Sequence, residues 1–277
     1  MRLLGNCLCV VFAAILGASS AYAQSEKKGG FEPYVGQPGK DVIWVPTPES
    51  VVNRMLDLAN ATPSDFLADL GSGDGRTVIA AAKRGIRAMG VEFNPDMVAL
   101  ATREAARQGV ADKVKFVNGD IFTTDFSQAT IVTLYLLPSL NVKLRPKILA
   151  MKPGTRVVSH AFNMADWEPD ETATPEGRQV FMWIVPANAA GNWKVQMAGT
   201  SRDLSLQQEF QKLQGTFRAG SESISVFDAR LRGDEIRFSV LEKGGTRRDF
   251  TGKVQGASMS GAMRVSGQES PWSAVKQ

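Results

Sequence analysis

Three carboxylates at regular intervals are the first residues in this chain that could do chemistry. Asp69 stands in the apolar run Phe66 to Leu70 and opens the segment Asp69-Leu70-Gly71-Ser72-Gly73-Asp74-Gly75. Alternating glycines let a backbone turn sharply and lie close to a ligand, although a plain glycine turn would also explain the loop. There is no lysine here, as a phosphate-cradling P-loop requires. The third glycine is also misplaced for the G-x-G-x-x-G dinucleotide pattern. Asp69 and Asp74 would repel a pyrophosphate and attract a cation such as a sulfonium or an amino group. Glu92 lies 21 residues beyond Gly71, in Gly90-Val91-Glu92-Phe93-Asn94-Pro95. That spacing suits an acid accepting hydrogen bonds from ribose hydroxyls. Asp120, in Asn118-Gly119-Asp120-Ile121-Phe122, could accept from an adenine amino group, with Ile121 and Phe122 near the ring.

These residues share a site only if alternating strands and helices bring them to one rim. The pattern from Pro46 to about Pro186 is of that kind. It predicts a helix from Pro48 with Thr47 as its N-cap, then strands over Phe66–Leu70, Ala88–Val91, Val114–Val117, Thr130–Leu134 and Arg156–Ser159. Helical stretches, Val78–Lys83, Pro95–Gln108 and Val142–Met151, fall between them. Strands separated by helices imply βαβ units and a parallel sheet, whose ligand crevice lies at the carboxyl ends of the strands. After Asn192 the helical period fades. Alternating segments separated by glycine-containing turns predict an antiparallel meander, a small barrel or a sandwich, with Gln207–Gln214 open to a helical reading. The expected fold class is therefore α/β, a Rossmann-like sheet over 41–191 with an appended antiparallel β region over 192–277.

Of the 277 residues, 43% are hydrophobic and 22% charged, which excludes a disordered chain, a collagen and a polytopic membrane protein. A net charge of +4 is too small to argue for nucleic acid. Arg2, the apolar run Leu8 to Leu16 and Ala21-Tyr22-Ala23 read as a secretory signal peptide over 1–23, cleaved before Gln24. The expected location is periplasmic or secreted, with an uncleaved inner-membrane anchor as the alternative. Residues 24–40 are expected to be a flexible lead-in. Both cysteines lie inside the signal segment and His160 is the one histidine. A thiol nucleophile and a multi-His zinc site are therefore not expected, and no metal is predicted.

The Gly loop with acids after three successive strands resembles the class I S-adenosylmethionine-dependent methyltransferases. The resemblance implies S-adenosyl-L-methionine as cofactor. Asp69, Gly71 and Gly73 would then hold its methionine end, Glu92 its ribose, and Asp120 with Ile121 its adenine region. Ser72, Asp74 and Asn94 belong to the same segments and join the cofactor candidates. Val45-Pro46-Thr47-Pro48, the DLGSGDGR run from Asp69 to Arg76, Glu92-Phe93-Asn94-Pro95 and the stretch from Phe162 to Asp170 narrow the likeness. Together they resemble the lysine methyltransferases that modify ATP synthase and the adenine nucleotide translocase in mitochondria, with their bacterial relatives. This implies that Pro46 to Val51 cover the cofactor and shape a substrate channel, and that the acceptor is a protein lysine. The chain departs from the mitochondrial members in its export signal and its appended β region.

On the acceptor side, Leu134-Tyr135-Leu136-Leu137-Pro138 ends the fourth strand. Tyr135 and Pro138 are the catalytic candidates. Tyr135 could orient an amine through its hydroxyl, or pack in the core. Trp167 could wall an acceptor pocket or serve as core, and His160 is a possible imidazole base or a satisfied structural residue. A protein or small-molecule acceptor is expected, and nucleic acid is not. An exported, non-catalytic binding protein is the rival from another class.

Overall fold

The computed structural model describes residues 31–277. The expected signal peptide and residues 24–30 of the lead-in lie outside this range. Helix α1 (Glu49–Leu58) follows Pro48 and buries Val51, Val52, Met55 and Leu56. Thr47 does not cap it through its side chain, which instead meets His160. Then come β1 (Phe66–Leu70), α2 (Arg76–Lys83), β2 (Arg87–Glu92), α3 (Pro95–Arg107), β3 (Val114–Asn118), β4 (Ile131–Leu134), α4 (Pro138–Leu149) and β5 (Arg156–His160). Two short strands that the sequence pattern did not single out, β6 (Glu171–Ala173) and β7 (Val180–Ile184), complete a seven-stranded sheet in the order β3-β2-β1-β4-β5-β7-β6. The first five strands run parallel, and β7 pairs antiparallel with both β5 and β6. The sheet is thus mixed rather than parallel throughout. Strand order reverses beside β1, so the crevice falls between the ends of β1, β2 and β4. Strands β1 and β4 are almost wholly buried apolar runs, as a sheet covered on both faces requires.

The remainder is antiparallel: β8 (Gly191–Met197), β9 (Thr200–Glu209), β10 (Lys212–Ala219), β11 (Glu222–Ser225), β12 (Phe227–Arg232), β13 (Glu235–Leu241), β14 (Arg247–Gln255), β15 (Ser258–Val265) and β16 (Gln268–Lys276). Pairing of β16 with β8, β8 with β9 and β9 with β10 closes eight of these strands into a barrel, with β11 appended to β10. Closure leaves no bare edge on those eight strands. The interior is filled by Trp193, Phe217, Phe238, Phe250 and Trp272, with Phe238 stacked on Phe250 at 4.5 Å. Gln207–Gln214 is strand, turn and strand, not helix. The run Ile224–Leu231 is two strands, because the regular pairing breaks at Val226 and the β12–β13 register shifts between Phe227 and Arg230. Trp193–Met197 belongs to the barrel rather than to the α/β sheet.

Residues 31–40, expected to be flexible, are folded. Pro38 bridges Ile43, Gly36 N–H donates to the Trp44 carbonyl, and Lys40 pairs with Asp120 at 2.6 Å. The turn residues Pro38-Gly39 that read as a linker instead close a small hairpin. Among the described residues, no helix is long and apolar enough to cross a membrane.

Candidate functional site

The carboxyl ends of β1 to β4 surround a cavity of about 320 Å³, roofed by the strap from Gln37 to Thr47. Its lining includes Asp69, Gly71, Ser72, Gly73, Asp74, Glu92, Asn94, Asp120, Ile121, Tyr135, Pro46 and Thr47, all singled out from the sequence. Asp69 is 7% exposed and accepts a 2.6 Å hydrogen bond from Thr133 Oγ1. Burial, with Asp74 and Glu92 nearby, pushes its carboxyl up to about 7, against the pull of the Thr133 and Thr77 hydroxyls. Glu92 Oε2 accepts from the Gly73 N–H and Oε1 from the Asn94 N–H, both at 2.9 Å. It therefore ties the glycine loop to the end of β2 while facing the cavity. Asn94 also caps α3, accepting the Asp96 N–H. Asp120 Oδ1 accepts the Phe122 N–H at 2.8 Å. Lys40 Nζ, the larger influence, and that N–H hold the Asp120 carboxyl below the usual range.

The lining fits S-adenosylmethionine on three counts. Ser72 Oγ is buried without a hydrogen-bond partner, a polar group available to a ligand. Gly73 has φ +52, and a Cβ there would lie 2.7 Å from Trp44 Nε1, so the strap seats on a bare backbone. The lining carries five carboxylates, Asp41, Asp69, Asp74, Glu92 and Asp120, against Lys40 and Arg76, which suits a sulfonium and an ammonium. Asp74 is already committed to Arg76, whose Nη2 lies 2.6 Å away.

On the β4 side the walls turn apolar, with Met55, Leu136, Leu137, Leu140 and Phe162 around Tyr135. Tyr135 lies over the His160 ring at 4.0 Å and beside Phe162 at 6.1 Å. His160 sits behind that wall, 3.2 Å from Thr47 Oγ1 through Nδ1. Burial, then the charge of Arg178, lowers its pKa to about 4, which makes it a weak base, and it does not line the cavity; both mark it as a structural residue.

Besides His160 and Phe122, three sequence candidates fall outside the cavity lining. Pro138 is exposed and opens α4, where its missing N–H costs no helix bond. Pro48 precedes α1 in the same manner. Trp167 is fully buried between Trp183 and Phe210, and its Nε1–H donates to Gln211 Oε1 at 3.0 Å. The barrel covers that ring, so it packs as core and does not wall a channel. Sequence reasoning missed Trp44, Lys40 and Thr133. Trp44 had one available signal, its place two residues before Pro46 in the apolar run Val42 to Val45.

This fold, with an acidic crevice at its switch point and a glycine loop beneath a strap, defines a class I S-adenosylmethionine-dependent methyltransferase. The ANTKMT methyltransferase domain matches residues 69–171. A protein-lysine N-methyltransferase of Saccharolobus islandicus is 41% identical over 151 residues, 52% of this chain and 94% of that protein. The adenine nucleotide translocase lysine N-methyltransferase of Mus musculus is 37% identical over 139 residues, 50% of this chain. The chain spans little more than half of that mouse protein, 56% of its length. A Salinibacter ruber RNA methyltransferase, crystallised with S-adenosyl-L-homocysteine, is 53% identical with a TM-score of 0.51. It is covered over 95% of its length by 52% of this chain. The chain belongs to the ANTKMT methyltransferase-domain family and is an enzyme that uses S-adenosylmethionine.

Proposed function

We propose that the protein transfers a methyl group from S-adenosylmethionine to the side-chain amine of a protein lysine. The observation that carries this reading is the change in wall chemistry along one cavity. The β1–β3 side is acidic and polar, whereas the β4 side is apolar and aromatic. Bound S-adenosylmethionine supplies a methyl carbon already activated by positive sulfur. The chain's own residues have to align and desolvate. Asp69 and Glu92 would hold the amino and ribose ends, fixing the direction in which the methyl points. The walls of Tyr135, Leu137, Leu140 and Phe162 disfavour an ammonium, so a lysine entering there sheds its proton to solvent before it reacts. Tyr135 is the hydroxyl on that wall and would orient the neutral amine. A methylated lysine and S-adenosylhomocysteine leave.

The cavity mouth supports a macromolecular acceptor. Ile43, Val45, Phe93 and Leu137 line it and are 37–60% exposed. Contiguous apolar surface of this kind marks a docking face. The lysine-methyltransferase names of the Saccharolobus and mouse relatives support the same acceptor. RNA is the second reading, favoured by the name of the Salinibacter relative. The N-terminal pattern further supports export with cleavage before Gln24, which N-terminal sequencing of protein from its host would test.

The experiment is transfer of labelled methyl to fractionated host protein and RNA. Label in protein, recovered after hydrolysis as methyl-lysine and lost in Tyr135→Phe with unchanged cofactor affinity, is the expected result. Label in RNA alone would replace this reading with the second.

A further inference from the structure

An unpartnered indole N–H stands over the glycine loop. The chain has five tryptophans. Trp167, Trp183, Trp193 and Trp272 each donate through Nε1, to Gln211 Oε1 and to the carbonyls of Trp167, Ala189 and Thr251, at 2.7–3.0 Å. Trp44 is half-buried, lines the cofactor cavity and, among the described residues, has no acceptor for its indole N–H. That group can donate but not accept, so an unpaired one at a ligand cavity marks a place for an acceptor. The main chain fixes the ring. Trp44 N–H donates to the Gln37 carbonyl and the Trp44 carbonyl accepts the Gly36 N–H, both at 2.9 Å. Lys40 ties the same hairpin to Asp120. The polar edge of the indole then lies against Gly73, where a Cβ would be 2.7 Å from Nε1 and 3.1 Å from Cδ1.

The methionine end of S-adenosylmethionine carries a carboxylate beside its ammonium, and the acids that suit the ammonium repel the carboxylate. Asp69 and Asp74 flank the loop, and Glu92 is bonded to the Gly73 N–H. Both cations of the lining are engaged elsewhere. Arg76 places Nε and Nη2 on Asp74 and Nη1 on the Thr47 carbonyl, and Lys40 is paired with Asp120. Four of the five loop N–H groups from Gly71 to Gly75 are also bonded: Gly71 and Ser72 to the Val91 carbonyl, Gly73 to Glu92 and Gly75 to the Ser72 carbonyl. Ser72 Oγ lies against Gly90 in β2, where a Cβ would be 2.5 Å from it. An anion at this loop therefore needs a neutral donor from outside it, and the Trp44 indole is placed to be one.

We infer that Trp44 holds the carboxylate of S-adenosylmethionine through its indole N–H, so that the strap selects the cofactor as well as roofing it. A hydrogen bond to a charged acceptor is about twice as strong as a neutral one. A neutral donor also leaves the pairing of Asp69, Asp74 and Glu92 undisturbed. The site should accordingly discriminate S-adenosylmethionine from its decarboxylated counterpart, which keeps the sulfonium, an amine, the ribose and the adenine. This role concerns the cofactor alone and is independent of which acceptor is methylated.

The test is calorimetry of the full chain and of Trp44→Phe, which keeps an aromatic ring over Gly73 and removes the N–H. Both are titrated with S-adenosylmethionine and with decarboxylated S-adenosylmethionine. The unmodified chain should favour the carboxylated ligand, and Trp44→Phe should lower that preference by about tenfold. Affinity for the decarboxylated ligand should change by less than about threefold, the sign that the strap still seats. A preference lowered by less than about threefold would overturn the assignment, whether both affinities fall together or neither falls. Equal losses would make Trp44 a packing group or a ribose contact. A second measurement needs no substitution. With the indole nitrogens isotope-labelled, one of the five indole N–H resonances of the unmodified chain should move downfield with S-adenosylmethionine and stay in place with the decarboxylated ligand. Equal movement with both ligands, or none with either, would overturn the assignment.

Discussion

Replacing Asp69 by Asn should strengthen the fold and weaken the cofactor site, and the two effects should separate with pH. The buried carboxyl titrates near about 7, against an ordinary value of 3.8. A carboxyl whose folded-state pKa lies above its unfolded value binds more protons when folded. Stability is therefore highest below about pH 4 and falls as pH rises to about 7, beyond which the penalty is constant. Each tenfold change in a protonation equilibrium is about 1.4 kcal/mol, so ionised Asp69 costs at most about 4 kcal/mol. Asn keeps the acceptor for Thr133 Oγ1 and places its amide where the Thr77 hydroxyl, already a partner of Asp69, can accept. Urea denaturation should then show Asp69→Asn more stable by about 2–4 kcal/mol at pH 8.5 and nearly equal at pH 4. Calorimetry should show the reverse for S-adenosylmethionine: a loss of about 1–3 kcal/mol at pH 8.5, the scale of a hydrogen bond to a charged group. In the unmodified chain the affinity should rise with pH up to about 7. A stability change of the same size at both pH values, or a loss of stability at pH 8.5, would refute the idea that the site holds a buried, costly charge for its ligand.

Four further outcomes follow from named contacts. Gly73→Ala should weaken cofactor binding while leaving a folded chain, because its Cβ would displace Trp44 and the strap; calorimetry beside circular dichroism checks this. His160→Gln should leave the pH–rate profile between 6 and 9 unchanged, since burial already keeps the imidazole neutral there; an inflection that disappears in the variant would restore it as a base. Lys40→Ala should speed release of S-adenosylhomocysteine in stopped-flow displacement, because the ion pair to Asp120 and the stack over Phe93 at 4.7 Å hold the strap. Gln211→Leu should lower stability by about 1–3 kcal/mol in thermal or urea unfolding, leaving the Trp167 indole N–H and the Glu168 carbonyl unpartnered.

How far the chain could be read in advance depended on the range over which each signal acts. Strands β1, β2, β4 and β5 were legible because each is an apolar run bounded by turn residues. Asp69, Glu92 and Asp120 were legible because a strand end fixes a side chain within one or two residues. The strap was not. Gly36, Pro38 and Gly39 signal turns whether the segment is a linker or a hairpin, and the contact that orders it, Lys40 to Asp120, spans 80 residues. Strand β10 was missed because only Leu213 and Phe217 are buried, a spacing of four that resembles a helix as much as a strand. Trp167 was ambiguous for the same reason as Lys40: its neighbour Gln211 is 44 residues away, in a region whose docking position no local pattern encodes.

That docking bears on the acceptor wall. The segment between β5 and Trp167 places Phe162 at the cavity, yet it is poorly suited to hold itself there. Ala161 and Ala165 have φ of +64° and +56°, a conformation that costs a non-glycine residue roughly 1–2 kcal/mol. The strain is sustained by contacts from outside the loop. Asn141 Nδ2 donates to the Phe162 and Asn163 carbonyls at 3.3 and 3.2 Å, and Arg145 donates to the Met164 carbonyl at 3.0 Å and pairs with Asp166. Arg145 in turn lies 5.1 Å from the Phe210 ring of the barrel, and that ring stacks on Trp167. Gln211 and the Arg230–Asp170 pair fix the far end of the same segment. The barrel is thus a brace on the loop that carries one wall of the methyl-acceptor pocket. A chain cut before β8 would lose Gln211 and Arg230 together, uncovering the Trp167 indole and leaving Asp170 with the Ile184 N–H but no cation. The appended region belongs to the architecture of the catalytic half, joined to it through Asp170 and Trp167.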